Sequence, residues 1–261
     1  MHALIDGDIL IYRVGFTTEN EDWGIAKWRI NEMIDNILHV VTAESYSIYL
    51  SDSTENGFRK KFYPEYKANR KQPKPKHYEG LKYYLITEED ARITPEQEAD
   101  DELGIQQTLW NQNMETIQSV ICTIDKDLLQ IPGNHYNFVK NEKRFVSPDE
   151  GLRSFYTQLL VGDVSDNIRG VQGIGPKKAE KALHDCKVAE EYFEVSAGLY
   201  EKDYKRLMIN GILLKIRTEK DELWSFPPAF QNVQPAMEDL YSYGQTKVEE
   251  TIPSLVPTTQ V

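Results

Sequence analysis

Residues 159–183 read LLVGDVSDNIRGVQGIGPKKAEKAL, and two kinds of structure and chemistry meet in this stretch. It holds two carboxylates, a glycine turn, a proline and two lysines, which are Asp163, Asp166, Gly173, Gly175, Pro176, Lys177 and Lys178. Because proline is favoured at the first position of a helix, a helix is expected to begin at Pro176. Two lysines in that first turn oppose the helix dipole, which makes sense if a phosphate binds beside the exposed backbone N–H groups. The alternative is an ordinary corner between a loop and a helix, with solvated lysines.

Upstream of this stretch, the pattern predicts alternating strands and helices. Apolar runs at residues 2–10, 46–50 and 117–125 predict buried strands. Residues 23–41 carry apolar side chains at helical spacing, so a helix is expected between the first two strands. A strand, a helix and a strand form a βαβ unit, whose crossover is right-handed by default. We therefore predict an α/β domain with a mostly parallel sheet over residues 1–162.

Acidic side chains follow each predicted strand, and others begin a predicted helix or end the domain. The candidates are Asp6, Asp52, Glu98, Asp100, Asp101, Asp125, Asp127, Asp163 and Asp166. A single acid at such a place is usually a helix cap, but the carboxyl ends of parallel strands also gather ligands at one edge. Many ionised carboxylates in one place would repel one another and raise their pKa values, and divalent cations remove this difficulty. Oxygen ligands without His or Cys favour Mg²⁺ or Mn²⁺, and two such ions are the usual arrangement for phosphodiester hydrolysis.

Residues 58–82 differ from the rest of this acidic chain because they are strongly basic and contain several aromatic side chains. Cations interleaved with aromatic rings suit a phosphate backbone with stacked bases, although a solvated basic face is the common alternative. Pro73 and Pro75 make the middle of the stretch a poor helix, so we expect an exposed, partly mobile loop. Lys67 and Arg70 would share a face if residues 64–72 were helical.

The composition limits the class of protein. The 261 residues carry a net charge of −12, which argues against a basic nucleic-acid coat but allows a nuclease with local basic patches. Cys122 and Cys186 are the only cysteines and form no CxxC motif, so we expect a reducing compartment and no thiolate zinc site. No apolar run is as long as a membrane span, and the first residues predict a strand rather than a signal peptide. We expect a cytoplasmic protein without a membrane partner.

The chain after the glycine turn is predicted to be helical, over residues 176–184, 188–200 and 203–217. We expect a helical subdomain over residues 163–226. After Pro227 no apolar periodicity is visible, so residues 227–261 are expected to be a disordered or partner-binding tail.

Five segments together resemble a known family: LIDGD, FRKKFYPEYKANR, EADD, TIDKDLLQI and GDVSDNIRGVQGIGPKKA. From residue 4 to about 214, the chain resembles 5′-nucleases of the flap endonuclease/5′–3′ exonuclease family. The likeness is to the compact bacteriophage kind, which is related to the 5′-nuclease domain of bacterial DNA polymerase I. The resemblance implies a PIN-like domain followed by a helical H3TH DNA-binding subdomain. It also implies a shortened arch at about residues 64–90, because relatives have a longer helical arch there.

The resemblance assigns roles to the candidate residues. It places Asp6, Asp52, Glu98 and Asp100 on a first metal site, with Asp101 beside it, and Asp125, Asp127, Asp163 and Asp166 on a second. Lys67 and Arg70 are expected to contact the scissile phosphate, so that the expected catalytic residues are Lys67, Arg70, Asp127 and Asp163. Tyr66 is expected to help hold the unpaired 5′ end, and residues 173–178 are expected to bind duplex backbone and a K⁺ ion. The expected DNA-binding residues are Arg59, Lys60, Tyr66, Lys67, Arg70, Gly173, Gly175, Lys177 and Lys178; Asp8 receives no ligand role.

The expected function is that of a Mg²⁺-dependent 5′–3′ exonuclease and flap endonuclease, acting by two ions in primer removal or recombination. Mn²⁺ is expected to substitute, and the expected partner is DNA with a 5′ end, flap or nick, or an RNA–DNA hybrid. A monomer is expected, with a replication protein as the partner of the tail. Two alternatives stay open, namely a PIN-type ribonuclease acting on single-stranded RNA and a non-catalytic junction-binding protein.

Overall fold

A six-stranded sheet forms the centre of the molecule in the computed structural model, which describes residues 1–113 and 118–242. Its strands are β1 (His2–Asp6), β2 (Ser45–Ser51), β3 (Arg92–Thr94), β4 (Ser119–Cys122), β5 (Gly133–Asn137) and β6 (Glu142–Val146). The strand order is β3-β2-β1-β4-β5-β6. The first five strands are parallel, and β6 runs antiparallel to β5 at the edge. The predicted mostly parallel sheet is confirmed.

The helices within the described residues flank this sheet and then continue beyond it. They are α1 (Gly7–Thr17), α2 (Trp23–Val41), α3 (Phe58–Phe62), α4 (Tyr78–Glu88), α5 (Ala99–Asn113), α6 (Pro148–Val161), α7 (Pro176–Ala182), α8 (Ala189–Leu199) and α9 (Tyr204–Leu214). Two 3₁₀ helices span Asp127–Gln130 and Pro228–Val233, and a short hairpin pairs β7 (Gly162–Asp163) with β8 (Ile168–Arg169). The predicted helix over residues 23–41 coincides with α2.

The alternation of side chains along β1 explains why helices cover both faces of the sheet. Ala3 and Ile5 are buried with α1, α2 and α4 on one face, whereas Leu4 is buried with α5 on the other. Successive strand residues point to opposite faces, so a strand buried on both reads as a continuous apolar run. The apolar runs in the sequence therefore mark the central strands.

The prediction of one strand over residues 2–10 is wrong in its second half. The strand ends at Asp6, and α1 begins at Gly7, with Asp6 accepting a hydrogen bond from the Ile9 backbone N–H at 3.1 Å. A carboxylate at this position satisfies a backbone donor that the first helical turn leaves free. Leu10 and Val14 then lie on the buried face of α1 at helical spacing.

The basic stretch is more ordered than predicted. Residues 58–62 form α3, residues 64–69 and 76–77 form turns, and α4 begins at Tyr78, so within this stretch Tyr63 and residues 70–75 have neither helix nor turn. Lys67 and Arg70 do not share a helical face, because Lys67 has a left-handed backbone with φ of 56°.

The predicted boundary at residue 226 is also corrected. Phe230 packs 4.6 Å from the Phe193 ring, and Leu240 is fully buried in the cluster formed by α6, α8 and α9. Residues 237–242 are helical. The chain is therefore packed against the helical part at least as far as residue 242, and the rest of the predicted tail lies outside the described residues.

Candidate active site

A cavity of about 420 Å³ lies at the carboxyl edge of the sheet. Eight carboxylates line it: Asp6, Asp8, Asp52, Glu98, Asp100, Asp125, Asp127 and Asp166. Five cationic side chains also line it: Arg59, Lys67, Arg70, Lys74 and Lys82. The cavity therefore brings together seven of the nine predicted carboxylates and adds Asp8.

The topology explains how distant residues reach one place. Asp6 ends β1, Asp52 follows β2, and Asp125 follows β4, and these three strands are parallel neighbours. Glu98 and Asp100 lie at the start of α5, which packs behind β1 and β2. Carboxyl ends of parallel strands meet at one edge of a sheet, which is where ligands bind in such folds.

Burial and mutual repulsion disfavour the ionised form of several of these carboxylates. Burial, followed by the charge of Asp8, raises the pKa of Asp6 to about 7. Burial, followed by the charges of Asp125 and Asp163, raises the pKa of Asp127 to about 7. Burial and neighbouring carboxylates also raise the pKa of Asp100. A bound cation would favour the ionised forms again, so a site with these raised pKa values is suited to binding cations.

Glu98 has the opposite balance. Although its burial opposes ionisation, the charges of Lys67 and Arg59 lower the pKa of Glu98 to about 2. Lys67 Nζ pairs with Glu98 Oε1 and lies 3.7 Å from Asp166 Oδ2. Arg70 pairs with Asp166 Oδ1 at 2.5 Å. The two predicted catalytic cations thus lie among the carboxylates, bridging α5 and the β7–β8 hairpin.

The turns that carry Lys67 are attached to the β7–β8 hairpin by one main-chain hydrogen bond and by two hydrogen bonds that asparagine side-chain amides donate to main-chain carbonyls. The Lys67 N–H donates to the Asp166 carbonyl at 3.0 Å. Asn69 donates to the Val164 carbonyl at 2.7 Å, and Asn167 donates to the Glu65 carbonyl at 2.9 Å. These bonds fix where the Lys67 side chain enters the cavity, even though its backbone conformation is unfavourable for a residue with a side chain.

Tyr66 lines the cavity but exposes little of its surface, and its role in holding the unpaired 5′ end stays a prediction. It is only 3% exposed, and its hydroxyl donates to Glu98 at 2.7 Å and lies 3.1 Å from Asp166. The aromatic side chain available at the cavity is Tyr12 on α1, which is 38% exposed. Helical spacing within residues 7–17 is the signal that could have found it.

Asp101 and Arg59 are corrected together. Asp101 was predicted beside a metal site and Arg59 on DNA, but they form a buried ion pair with contacts of 2.5 and 2.8 Å. Arg59 is 2% exposed and Asp101 is 0% exposed. Arg59 lines the cavity, but its donors and both oxygens of Asp101 are engaged in this pair.

Asp52 and Asp163 are partly committed to local structure. Asp52 accepts hydrogen bonds from the backbone of Ser53 at 2.7 Å and of Glu96 at 3.2 Å. Asp163 Oδ1 accepts from the Ser165 backbone at 2.7 Å and its hydroxyl at 2.6 Å, and Asp163 is absent from the cavity lining. Asp8, which the sequence left without a role, accepts from the Ser51 N–H at 3.0 Å and faces the cavity.

The carboxylates share a cavity but do not already form a ligand shell. Across residues 1–113 and 118–242, no three His, Cys, Asp or Glu side chains are arranged so that they could hold one metal ion. The donor chemistry nevertheless fits a hard divalent cation, since the acidic side of the cavity offers only oxygen donors. Metal ligation by the nine predicted residues stays a prediction.

The predicted duplex-binding turn is open to an approaching backbone. Gly173 has φ of 75°, and a side chain at Gly173 or Gly175 would meet no atom within 4 Å. Lys177 and Lys178 are exposed at the start of α7, and Lys178 Nζ donates to the Gly173 carbonyl at 2.8 Å. Lys60, also predicted to bind DNA, donates to the Pro64 carbonyl at 2.7 Å. DNA binding by these residues stays a prediction.

Among the helices of the described ranges, none combines the length and the apolar character needed to cross a membrane.

The mostly parallel sheet, the acidic cavity at its carboxyl edge and the cations beside it define an α/β protein of the phosphodiester-cleaving class. Residues 1–156 match the model of the 5′-3′ exonuclease, N-terminal resolvase-like domain. The 5′-3′ exonuclease of Buchnera aphidicola is 30% identical over 194 residues, which cover 67% of each chain. The chain belongs to the 5′–3′ exonuclease family and is a nuclease of the exonuclease and flap endonuclease type.

Three further comparisons extend past the matched domain. The flap endonuclease Xni of a Shewanella species is 28% identical over 218 residues, which cover 78% of this chain and 82% of that protein. The crystal structure of the D15 protein of bacteriophage T5, co-crystallised with metal ions, has a TM-score of 0.63 and 15% identity. It covers 95% of this chain and 98% of the T5 chain. A second structure of the T5 flap endonuclease, in a complex with DNA and metal ions, has a TM-score of 0.57. The resolvase-like PIN fold predicted for the first domain is confirmed.

Proposed function

We propose that this chain hydrolyses phosphodiester bonds near the 5′ end of DNA, both as a 5′–3′ exonuclease and as a structure-specific flap endonuclease. The observation that carries this proposal is the single cavity in which carboxylates from five separate segments face Lys67, Arg70, Lys74 and Lys82. Carboxylates can hold divalent cations, and lysine and arginine can hold the negatively charged oxygens of a phosphate.

Two Mg²⁺ ions are the proposed cofactors, with Mn²⁺ able to replace them. Asp6, Asp52, Glu98 and Asp100 would hold one ion, and Asp125, Asp127, Asp163 and Asp166 the other. The raised pKa values of Asp6 and Asp127 support this assignment, because burial and neighbouring carboxylates disfavour the charged forms and a bound cation would offset both effects. When bound, such ions supply an activated water and neutralise charge on the phosphate oxygens.

Lys67 and Arg70 are the proposed catalytic cations. Both line the cavity, and a main-chain bond from Lys67 and a side-chain bond from Asn69 to the β7–β8 hairpin hold the turn that carries Lys67. A cation fixed beside the phosphate stabilises the charge that develops in the transition state, at little cost in reorganisation. In the free protein, pairing with Glu98 and Asp166 keeps both cations in place.

The helical part is proposed to bind the duplex side of the substrate, as an H3TH subdomain that begins near residue 163 and extends to residue 242. Support comes from the open turn at Gly173 and Gly175, followed by Lys177 and Lys178. A K⁺ ion is proposed at the main-chain oxygens of this turn, where it would have to displace Lys178 Nζ from the Gly173 carbonyl. Lys60, in the middle of α3, is proposed as a further phosphate contact.

The proposed partners are DNA with a 5′ end, flap or nick and, by the same recognition of the backbone, an RNA–DNA hybrid. The flap endonuclease of T5 has been captured with DNA, and its fold matches this chain over 95% of its length. We propose that the chain acts as a monomer in the cytoplasm, with a replication protein binding residues beyond 242, which lie outside the described residues.

Cleavage of 5′-labelled substrates tests the proposal. The full chain with Mg²⁺ should release short 5′ products from a flap and from a nicked duplex, and EDTA should stop the reaction. Asp127→Asn and Asp163→Asn should each abolish cleavage while leaving duplex binding measurable. Cleavage of single-stranded RNA in preference to these substrates would support a PIN-type ribonuclease instead. Full activity in either variant would contradict the second ion site.

A further inference from the structure

A buried ion pair, Arg59 with Asp101, lies at the wall of the cavity, with Arg59 among the lining residues. Asp101 Oδ1 accepts hydrogen bonds from Arg59 Nη2 at 2.8 Å and from the Arg217 backbone N–H at 3.2 Å. Asp101 Oδ2 accepts from Arg59 Nη1 at 2.5 Å and from the Glu98 backbone N–H at 3.3 Å. A carboxylate has about four lone-pair sites, so Asp101 has none left for a metal ion.

Arg59 is saturated in the same way. Besides its two bonds to Asp101, its Nε donates to the Leu213 carbonyl and its Nη2 to the Lys215 carbonyl, both at 2.8 Å. Its Nη1 also lies 3.4 Å from Glu98 Oε2. The guanidinium has five N–H donors, and each has an acceptor. A fork that is satisfied in this way has a single orientation, which a lysine could not reproduce.

The contacts of this pair join three segments of the chain that have different structural and functional roles. Arg59 belongs to α3, which leads through residues 63–66 to Lys67. Asp101 belongs to the first turn of α5, which carries Glu98 and Asp100 into the cavity. The Leu213 and Lys215 carbonyls belong to the chain that leaves α9, at the end of the helical part. The pair is therefore a junction between the acidic cavity, the catalytic turn and the helical part.

We propose that Arg59 and Asp101 are positioning residues that hold the cavity carboxylates and the Lys67 turn in register with the duplex-binding helices. The proposal deepens the nuclease function above and rests on it for its kinetic test. A bound duplex would be placed by the helices, and the scissile phosphate would then need Glu98 and Lys67 at a fixed distance from those helices. Because reactive geometry tolerates little displacement, loss of the pair should slow cleavage while leaving DNA affinity intact.

Arg217 is the matched control for loss of a buried arginine. It is also buried, its side chain donates to Gln97 and to the Glu222 carbonyl at 2.9 Å each, and it lies over the Phe58 ring. Only its backbone N–H contacts Asp101, so a side-chain substitution leaves the Arg59–Asp101 pair in place. Arg217→Gln should therefore lower stability while leaving the Arg59–Asp101 pair itself in place.

The experiment compares Asp101→Asn, Arg59→Lys and Arg217→Gln in the full chain, each assayed well below its unfolding temperature. Single-turnover cleavage of a 5′ flap is measured with Mg²⁺, and the Kd for the same flap is measured in EDTA. We expect the cleavage rate to fall about 100-fold in Asp101→Asn and Arg59→Lys, with Kd changed by about twofold at most. In Arg217→Gln the rate should stay within about threefold of the wild-type rate, whatever its loss of stability.

Two results would overturn the inference. One is a cleavage rate in Asp101→Asn equal to that of the wild type, and the other is a rate loss that follows the drop in Tm across all three variants. Absence of flap cleavage by the wild-type chain would instead contradict the proposed function.

Hydrogen–deuterium exchange of the free protein gives a readout that does not need cleavage. In Asp101→Asn, exchange should rise in both residues 97–103 and 213–217, whereas in Arg217→Gln it should rise mainly in residues 216–222. Because Asn keeps the shape of Asp, this variant serves even if Arg59→Lys does not fold. Unchanged exchange in residues 213–217 of Asp101→Asn would show that the pair does not join the segments.

Discussion

Replacing Asp127 by Asn should stabilise the metal-free protein at pH 8, and should stabilise it by less than half as much at pH 5. Burial and the charges of Asp125 and Asp163 raise the pKa of Asp127 to about 7, from a usual value of 3.8. A carboxyl whose folded pKa is raised loses its proton more easily in the unfolded chain, so stability falls as pH rises from about 4 to about 7. Asn carries no charge and removes this loss.

The size of the effect follows from the shift. About three pKa units correspond to a ceiling of about 4 kcal/mol at pH 8. Because Asp127 is only partly buried, solvent screening reduces this to about 1–2 kcal/mol. In a protein of this size that gain corresponds to a Tm increase of about 2–8 °C.

Thermal unfolding followed by circular dichroism, in EDTA at pH 5 and pH 8, measures the effect. The control is Asp35→Asn, which removes an exposed carboxylate from α2. We also expect Mg²⁺ at pH 8 to raise the Tm of the wild type more than that of Asp127→Asn, because a bound cation relieves the same repulsion. An Asp127→Asn variant no more stable than the wild type at pH 8 in EDTA would refute the account of the cavity as short of positive charge.

Three further predictions concern single features of the chain. Lys67→Ala should lower the single-turnover cleavage rate of a flap by about 100- to 1,000-fold, because a fixed cation at the phosphate acts mainly in the transition state; an equal loss in DNA affinity would make Lys67 only an anchor. Leu240→Ala should lower the free energy of unfolding by about 2–4 kcal/mol, since the Leu240 side chain is fully buried. Denaturant unfolding measures this change, and an unchanged free energy of unfolding would contradict the packing of residues 237–242. Replacing both Lys177 and Lys178 by Ala should remove about two phosphate contacts and so make the slope of log K against log salt for duplex binding less steep. An unchanged slope would show that the duplex binds elsewhere.

The sheet and the acidic edge could be predicted because their signals are local. The first strand is apolar at every position from Ala3 to Ile5, which only a strand buried on both faces requires. Acids placed after parallel strands must then meet at one edge, whatever the details of the loops. The position of Asp6, Asp100 and Asp125 in one cavity follows from topology alone.

The end of the packed chain was not predictable from periodicity. Phe226, Phe230 and Leu240 all contact the helical core, but a 3₁₀ helix and irregular residues separate them, so their spacing has no fixed period. A pattern search at 3.6 or 2 residues finds nothing in such a segment. The aromatic cluster around Phe193 supplies the burial instead, and only the tertiary structure reveals which rings complete it.

The sequence does contain a signal that Arg59 is buried and the neighbouring lysines are not, but reading it requires knowing that residues 58–62 form a helix, which was not predicted. Arg59 and Phe62 are three residues apart in α3 and both are buried, whereas Lys61 is exposed. A basic residue at helical spacing from a buried ring points inward, and it can remain there only if a carboxylate and carbonyl groups satisfy it. Asp101 provides that carboxylate from 42 positions away in the sequence. The charge pattern of residues 58–62 therefore does not indicate which cation is exposed to solvent. The position of each cation relative to the buried Phe62 around the helix does indicate it.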